Sequence, residues 1–254
     1  MLKENRTYYV RTDGNDKNSG LTDEAVGAFK TWQRAVQIVA ALDLAGQTVT
    51  LQHGEEYPQT FTSTVVIPPM TGGGRLLVRG APTPGATTFN VPGQCFQLES
   101  PGCKVQFENM TLIGGGSGQI YVAYNSAAYI HHGMVFGPCN FAHIYVHDSQ
   151  AMALVLGASY IVNGGGGYHL FNNAGMVFME ASSIVLKERP HFAGGFVEMR
   201  NGAKMQTVST MFPGASTGPR YQVRTNGVID TAGGGPDYFP GSSPGAVSSG
   251  GQYV

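Results

Sequence analysis

A recurring corner constrains this chain more than any other feature. From Ser100 onward, strand-like runs end in a polar residue followed by a small or turn-forming one. The pairs are Ser100-Pro101, Asn125-Ser126, Asp148-Ser149, Asn173-Ala174, Asn201-Gly202 and Asn226-Gly227, spaced 25, 23, 25, 28 and 25 residues apart. A period in this range marks a solenoid. The unit between corners is a strand, a looser segment and a second strand, not a pair of helices. One such coil cannot bury its apolar side alone. Stacked at roughly 4.8 Å, successive coils pair every backbone N–H and C=O above and below. Asn and Asp suit the corners because they tolerate left-handed backbone angles and form Asx turns.

Composition separates this reading from disorder. Charged residues are only 12 % of the chain and glycine contributes 37 positions, yet hydrophobic residues reach 42 %. The apolar residues fall among the glycines in short runs, the pattern of many turns between many short strands. The net charge is −1, from 15 basic and 16 acidic residues. With no basic stripe, nucleic-acid binding is not expected. No apolar run is long enough to span a bilayer. Cys95, Cys103 and Cys139 stand alone, which argues against a disulfide scaffold or a zinc site. No cofactor is expected. Met1–Arg6 lacks the apolar stretch of a secretory signal, so folding in a reducing cytoplasm is expected.

Three segments are expected. Residues 1–46 supply a strand near 7–12, a polar loop Asp13–Gly20 and one helix over 31–42. Its Trp32, Ala35, Val36, Val39 and Ala40 make a single apolar stripe, with Thr31 as N-cap. Residues 47–230 form the coils. Residues 231–254, rich in Gly, Ser and Pro and charged only at Asp237, form a C-terminal cap or docking tail. The helix is placed to cover the first coil, because an open solenoid end exposes apolar surface and unpaired strand edges.

Counting back from the corners gives an inside and an outside. Two positions before them stand Ala123, Val146, Phe171, Met199 and Arg224, mostly apolar and therefore inward; Arg224 breaks the pattern, as a last coil opening toward a cap would. One position before stand Tyr124, His147, Asn172, Arg200 and Thr225, mostly polar and therefore outward. By the same alternation Val122, Tyr145, Leu170, Glu198 and Val223, with Ile120, His143, Tyr168, Phe196 and Tyr221, tend outward. That surface is too apolar for a monomer, and it suits a subunit interface or stacking on sugar rings.

The lead-in carries a resemblance. Tyr8-Tyr9-Val10, Asp13-Gly14-Asn15-Asp16, Gly20-Leu21 and Phe29-Lys30-Thr31-Trp32 with Ala35-Val36 resemble the N-terminal start of pectin-lyase-like right-handed parallel β-helix proteins. The match covers about the first 45 residues. The ending, Tyr238-Phe239-Pro240-Gly241-Ser242 through Gly250-Gly251-Gln252-Tyr253, looks like tails of phage and prophage virion proteins. The resemblance implies an all-β fold, a right-handed parallel β-helix with an N-terminal capping helix. It also implies a homotrimeric spike, fibre or decoration subunit of a phage or phage-like particle, assembled in the host cytoplasm beside other virion proteins and touching host surface polysaccharide. The alternatives are a tailspike depolymerase and a bacterial carbohydrate-binding β-helix protein; fold alone does not choose.

Chemistry-bearing residues are sparse. Polysaccharide hydrolysis needs two carboxylates flanking the scissile bond, and the coils offer Asp148, Glu180, Glu188 and Glu198. Only Glu180 and Glu198 share a coil without an obvious turn role, so an enzyme is not the favoured reading. His131, His132, His143, His147 and His169 lack a tight metal-ligand spacing. The Asp13–Gly20 oxygens read as Asx turns rather than a calcium loop. Gly114–Gly118 and Gly164–Gly167 lack the following helix and Lys-Ser/Thr of a phosphate loop, and read as flexible loops. Tyr145, Tyr168, Tyr221 and Asn172 are the expected glycan contacts.

Overall fold

The computed structural model describes residues 1–54 and 58–254. The chain is a parallel β-solenoid whose central coils each contribute a strand to all three of its sheets, of ten, eight and six strands. One coil shows the path. Met152–Leu156 lies in the ten-stranded sheet, Ser159–Val162 in the six-stranded sheet and Gly166–Asn173 in the eight-stranded sheet. The corner at Asn173-Ala174 then returns the chain to Met176–Glu180, which pairs in parallel with Met152–Leu156. The repeating corner is thus the turn from the eight-stranded to the ten-stranded sheet. Left-handed angles occur there at Asn125 (φ 60), Ala174 (φ 77), Asn201 (φ 57) and Asn226 (φ 59). Asp148 instead uses its carboxylate, which accepts from the backbone N–H of Gln150 and Ala151.

In-register stacking builds internal columns of like residues. In the ten-stranded sheet one column runs Leu51, Val78, Phe107, Ile130, Val155, Met179, Thr207. In the six-stranded sheet another runs Phe61, Phe89, Leu112, Phe136, Val162, Leu186. A single apolar cluster extends from Leu2 to Phe239, so the lead-in, the coils and part of the tail share one core.

The helix spans Trp32–Ala40, two residues shorter at its C-terminal end than the stripe suggested, because the chain turns at Ala41. Thr31 caps it, its hydroxyl accepting from the Arg34 N–H. Trp32, Ala35, Val36 and Val39 are buried, and Trp32 packs against the rings of His53, Phe61 and Phe89. Ala40 is only half-buried. The Asp13–Gly20 loop is tied by its own bonds. Asp16 accepts from the backbone N–H of Lys30 and Thr31 and from the Thr31 hydroxyl, and Asp13 is held by Arg11.

The Gly164–Gly167 run is not a flexible loop. A Cβ at Gly165 would lie 2.0 Å from the His191 carbonyl oxygen, and one at Gly166 would lie 2.3 Å from Cys139 Sγ. Glycine is needed there because neighbouring coils approach too closely for any side chain. At the C-terminal end, Ala246–Val247 and Gln252–Tyr253 add strands to the eight- and ten-stranded sheets. Phe239 is fully buried, and the Tyr253 ring stacks on Tyr221 at 4.1 Å.

Candidate functional site

The eight-stranded sheet corrects the inside/outside assignment. Its inward rows are Ile120, Ile144, Leu170, Val197, Tyr221 and Val122, Val146, Asn172, Met199, Val223. Measured from the corner, the second row shifts from three residues to two to one and back, so a fixed offset mixes the faces. Seven of the ten expected outward residues, Ile120, Val122, His143, Leu170, Phe196, Tyr221 and Val223, are buried in the interior. Only Tyr145, Tyr168 and Glu198 of that set lie on the outer side. Phe171, expected inside, also belongs to an outward row, and Arg224, the exception in the inward set, continues the outward row of His147, Asn173 and Arg200.

Once aligned, the outer side carries an aromatic strip. Tyr121, Tyr145 and Phe171 occupy one outward row, followed by Glu198 and Gln222. Tyr121 and Tyr145 meet edge to face at 5.1 Å, and Tyr145 and Phe171 at 5.0 Å. Phe141 and Tyr168 join from the side, at 4.8 Å and 4.9 Å from the Phe171 ring. Parallel pairing puts successive rings about 4.8 Å apart along the axis; Phe171 itself is buried, and Tyr121, Phe141, Tyr145 and Tyr168 around it are half-buried. Burial pushes the Tyr121 and Tyr168 hydroxyls up to about 12, with Tyr145 adding to the first and Glu198 to the second.

The C-terminal end of the strip is charged. The Arg224 Nε and Nη2 both donate to Glu198 Oε1, at 2.8 and 2.7 Å. That bond, ahead of opposing burial, holds the Arg224 guanidinium above its ordinary value. The Arg200 guanidinium lies over Phe171, 4.5 Å from the ring centroid.

The other expected site residues scatter. Asn172 is fully buried and clamps its corner, donating to the carbonyls of Gly175 and Lys204 and accepting from the Gly175 N–H. Tyr221 is 6 % exposed and packs inward against Tyr253 and Phe239. Neither side chain is on the outer surface of this chain. Glu180 is exposed on the ten-stranded sheet, whereas Glu198 belongs to the eight-stranded sheet, a different side of the tube. Asp148 is held at an earlier corner, accepting also from the Tyr124 N–H. Sharing a coil therefore does not make Glu180 and Glu198 a facing pair.

Sequence reasoning missed an internal polar column. His143 and His169 are buried with Nδ1 atoms 2.9 Å apart. The Gly137 carbonyl can only accept, so His143 carries its proton on Nε2, which donates there at 3.0 Å. Neutral His143 then accepts at Nδ1, so His169 must donate from its own Nδ1. His169 Nε2 is left as the acceptor for the Tyr160 hydroxyl, at 2.9 Å. One proton arrangement satisfies the whole chain with both rings neutral. The signal in sequence was two histidines 26 residues apart, one coil period. No group of three His, Cys, Asp or Glu side chains able to hold a metal occurs among the described residues.

The outer side of the ten-stranded sheet also carries an apolar row. Tyr129, Leu154 and Phe178 share an outward row, flanked by Met152 and Met176. No family model, curated protein or solved structure matches the chain.

Proposed function

We propose that this protein is a structural subunit of a phage-like particle, a spike, fibre or decoration element that contacts host surface glycan through its outer aromatic strip. The observation that carries the reading is the strip of half-buried rings Tyr121, Tyr145, Phe141 and Tyr168 packed around the buried Phe171. Rings repeated at the coil spacing suit stacking against successive residues of an extended polysaccharide. The particle setting rests on the resemblance of the lead-in and tail. A homotrimer fits the apolar outer side of the ten-stranded sheet, which leaves the aromatic strip free on another side of the tube. The depolymerase reading is disfavoured because the carboxylates of one coil sit on different sheets. The test is to incubate the purified protein with host capsule or lipopolysaccharide and measure both binding and new reducing ends or unsaturated products. Binding without turnover, weakened at least tenfold by Tyr121→Ala with Tyr145→Ala, is expected. Turnover abolished by Glu198→Gln or Glu180→Gln overturns the non-enzymatic reading.

A further inference from the structure

Two polar atoms on the outer strip have no hydrogen-bond partner although both are buried: Glu198 Oε2 and Arg200 Nε. An unpaired buried acceptor or donor is costly and calls for an explanation. These two are complementary, and they belong to residues two apart on one face of one strand, with Cα atoms about 7 Å apart. Glu198 points away from the interior, since Val197 and Met199 on either side of it point inward, yet it is 0 % exposed. Its Oε1 is occupied by Arg224, while Oε2 makes no hydrogen bond although the Tyr168 hydroxyl lies beside the carboxylate. Arg200 is positioned by the Phe171 ring beneath its guanidinium.

We propose that Glu198 and Arg200 form a saccharide subsite that reads two neighbouring hydroxyls of a single sugar ring. One hydroxyl donates to Glu198 Oε2 and the next accepts from Arg200 Nε. A hydroxyl can play either role, so a vicinal diol satisfies both orphans at once. A carboxylate would satisfy Arg200 but set its second oxygen against Glu198. An ammonium group would satisfy Glu198 but oppose Arg200. The neutral diol is the chemistry that fits both. Tyr168 flanks the pair and offers its half-buried ring to the C–H side of the sugar. Access to Oε2 requires the Arg224 side chain, 41 % exposed over the covered Glu198, to tilt while keeping its bond to Oε1. This inference rests on the glycan-binding reading and assigns the sugar-reading atoms within it.

The test uses the intact protein, isotope-labelled, with the Arg side-chain Nε–Hε signals followed by NMR. The probes are the methyl glycosides of mannose, galactose and glucose at millimolar concentration, their analogues lacking one hydroxyl of a vicinal pair, and glucuronic acid. A shift of the Arg200 Nε–Hε signal with at least one methyl glycoside, lost with its deoxy analogue, is expected. Glu198→Gln and Arg200→Lys should each weaken that binding about tenfold. Arg200→Lys keeps the charge at a partly exposed position, so it serves if the buried substitution fails to fold. Glycosides that shift ring signals of the strip while leaving Arg200 untouched overturn the subsite and leave the glycan-binding function standing. Glycosides that bind nowhere overturn both. Glucuronic acid binding more tightly than the glycosides and unaffected by Glu198→Gln also overturns the subsite, in favour of a carboxylate reader.

Discussion

At the residue scale, the buried histidines make stability depend on pH. Burial holds His143 down to about 3 and His169 well below its ordinary value, with the His143 neighbour adding to the second. The unfolded chain takes up protons near the ordinary histidine value of about 6.5 while the folded one does not. Stability from the pair is therefore full above that value and is lost as pH falls toward about 3. The slope is about 1.4 kcal/mol per pH unit for each ring. Urea midpoints measured between pH 7.5 and 5 should fall with acidity, and a His143→Gln, His169→Phe double variant should flatten that fall. An unchanged slope would show that the acid sensitivity lies elsewhere. Asn172 gives a second expectation at this scale. Asn172→Ala removes three hydrogen bonds inside a buried corner, so a loss of roughly 2–3 kcal/mol in urea unfolding is expected.

At the element scale, the lead-in depends on Asp16, which accepts from two backbone N–H groups and a hydroxyl at the start of the helix. Asp16→Ala should cost about 1–2 kcal/mol, readable as a lower thermal midpoint. Strand, loop and helix were legible here because each has a local cause: Thr31 caps, and Trp32, Ala35, Val36 and Val39 repeat at helical spacing. The corners were legible for the same reason, since Asn125, Asn201 and Asn226 answer a local need for left-handed backbone. The faces of the eight-stranded sheet were not. Whether Phe171 or Asn172 points inward depends on the register between Gly166–Asn173 and its neighbours, and that pairing shifts near Gly166 and Tyr168. One residue of slip reverses every side chain. Period alone placed the coils; it could not place Tyr221 or Asn172 on a surface, nor bring His143 to His169.

At the scale of the whole molecule, the half-buried outward column Tyr129, Leu154 and Phe178 leads to an expected assembly. Light scattering should give about three times the 26.9 kDa chain mass, and Leu154→Glu with Phe178→Glu should shift it toward monomer; a monomeric parent protein sinks the trimer. Removing 231–254 strips Phe239 and Tyr253 from Phe196, Phe212 and Tyr221, so aggregation or loss of assembly is expected. The parallel stacking also fixes how the tube yields to force. Its ladder hydrogen bonds run along the axis, so tension on the two ends loads one coil edge at a time instead of shearing a whole sheet. Each released coil beyond Ser100 frees 23 to 28 residues of chain, about 80–95 Å when drawn straight. Pulled between its termini, a single molecule should lengthen in a staircase of such steps, coil by coil, and not in one rupture.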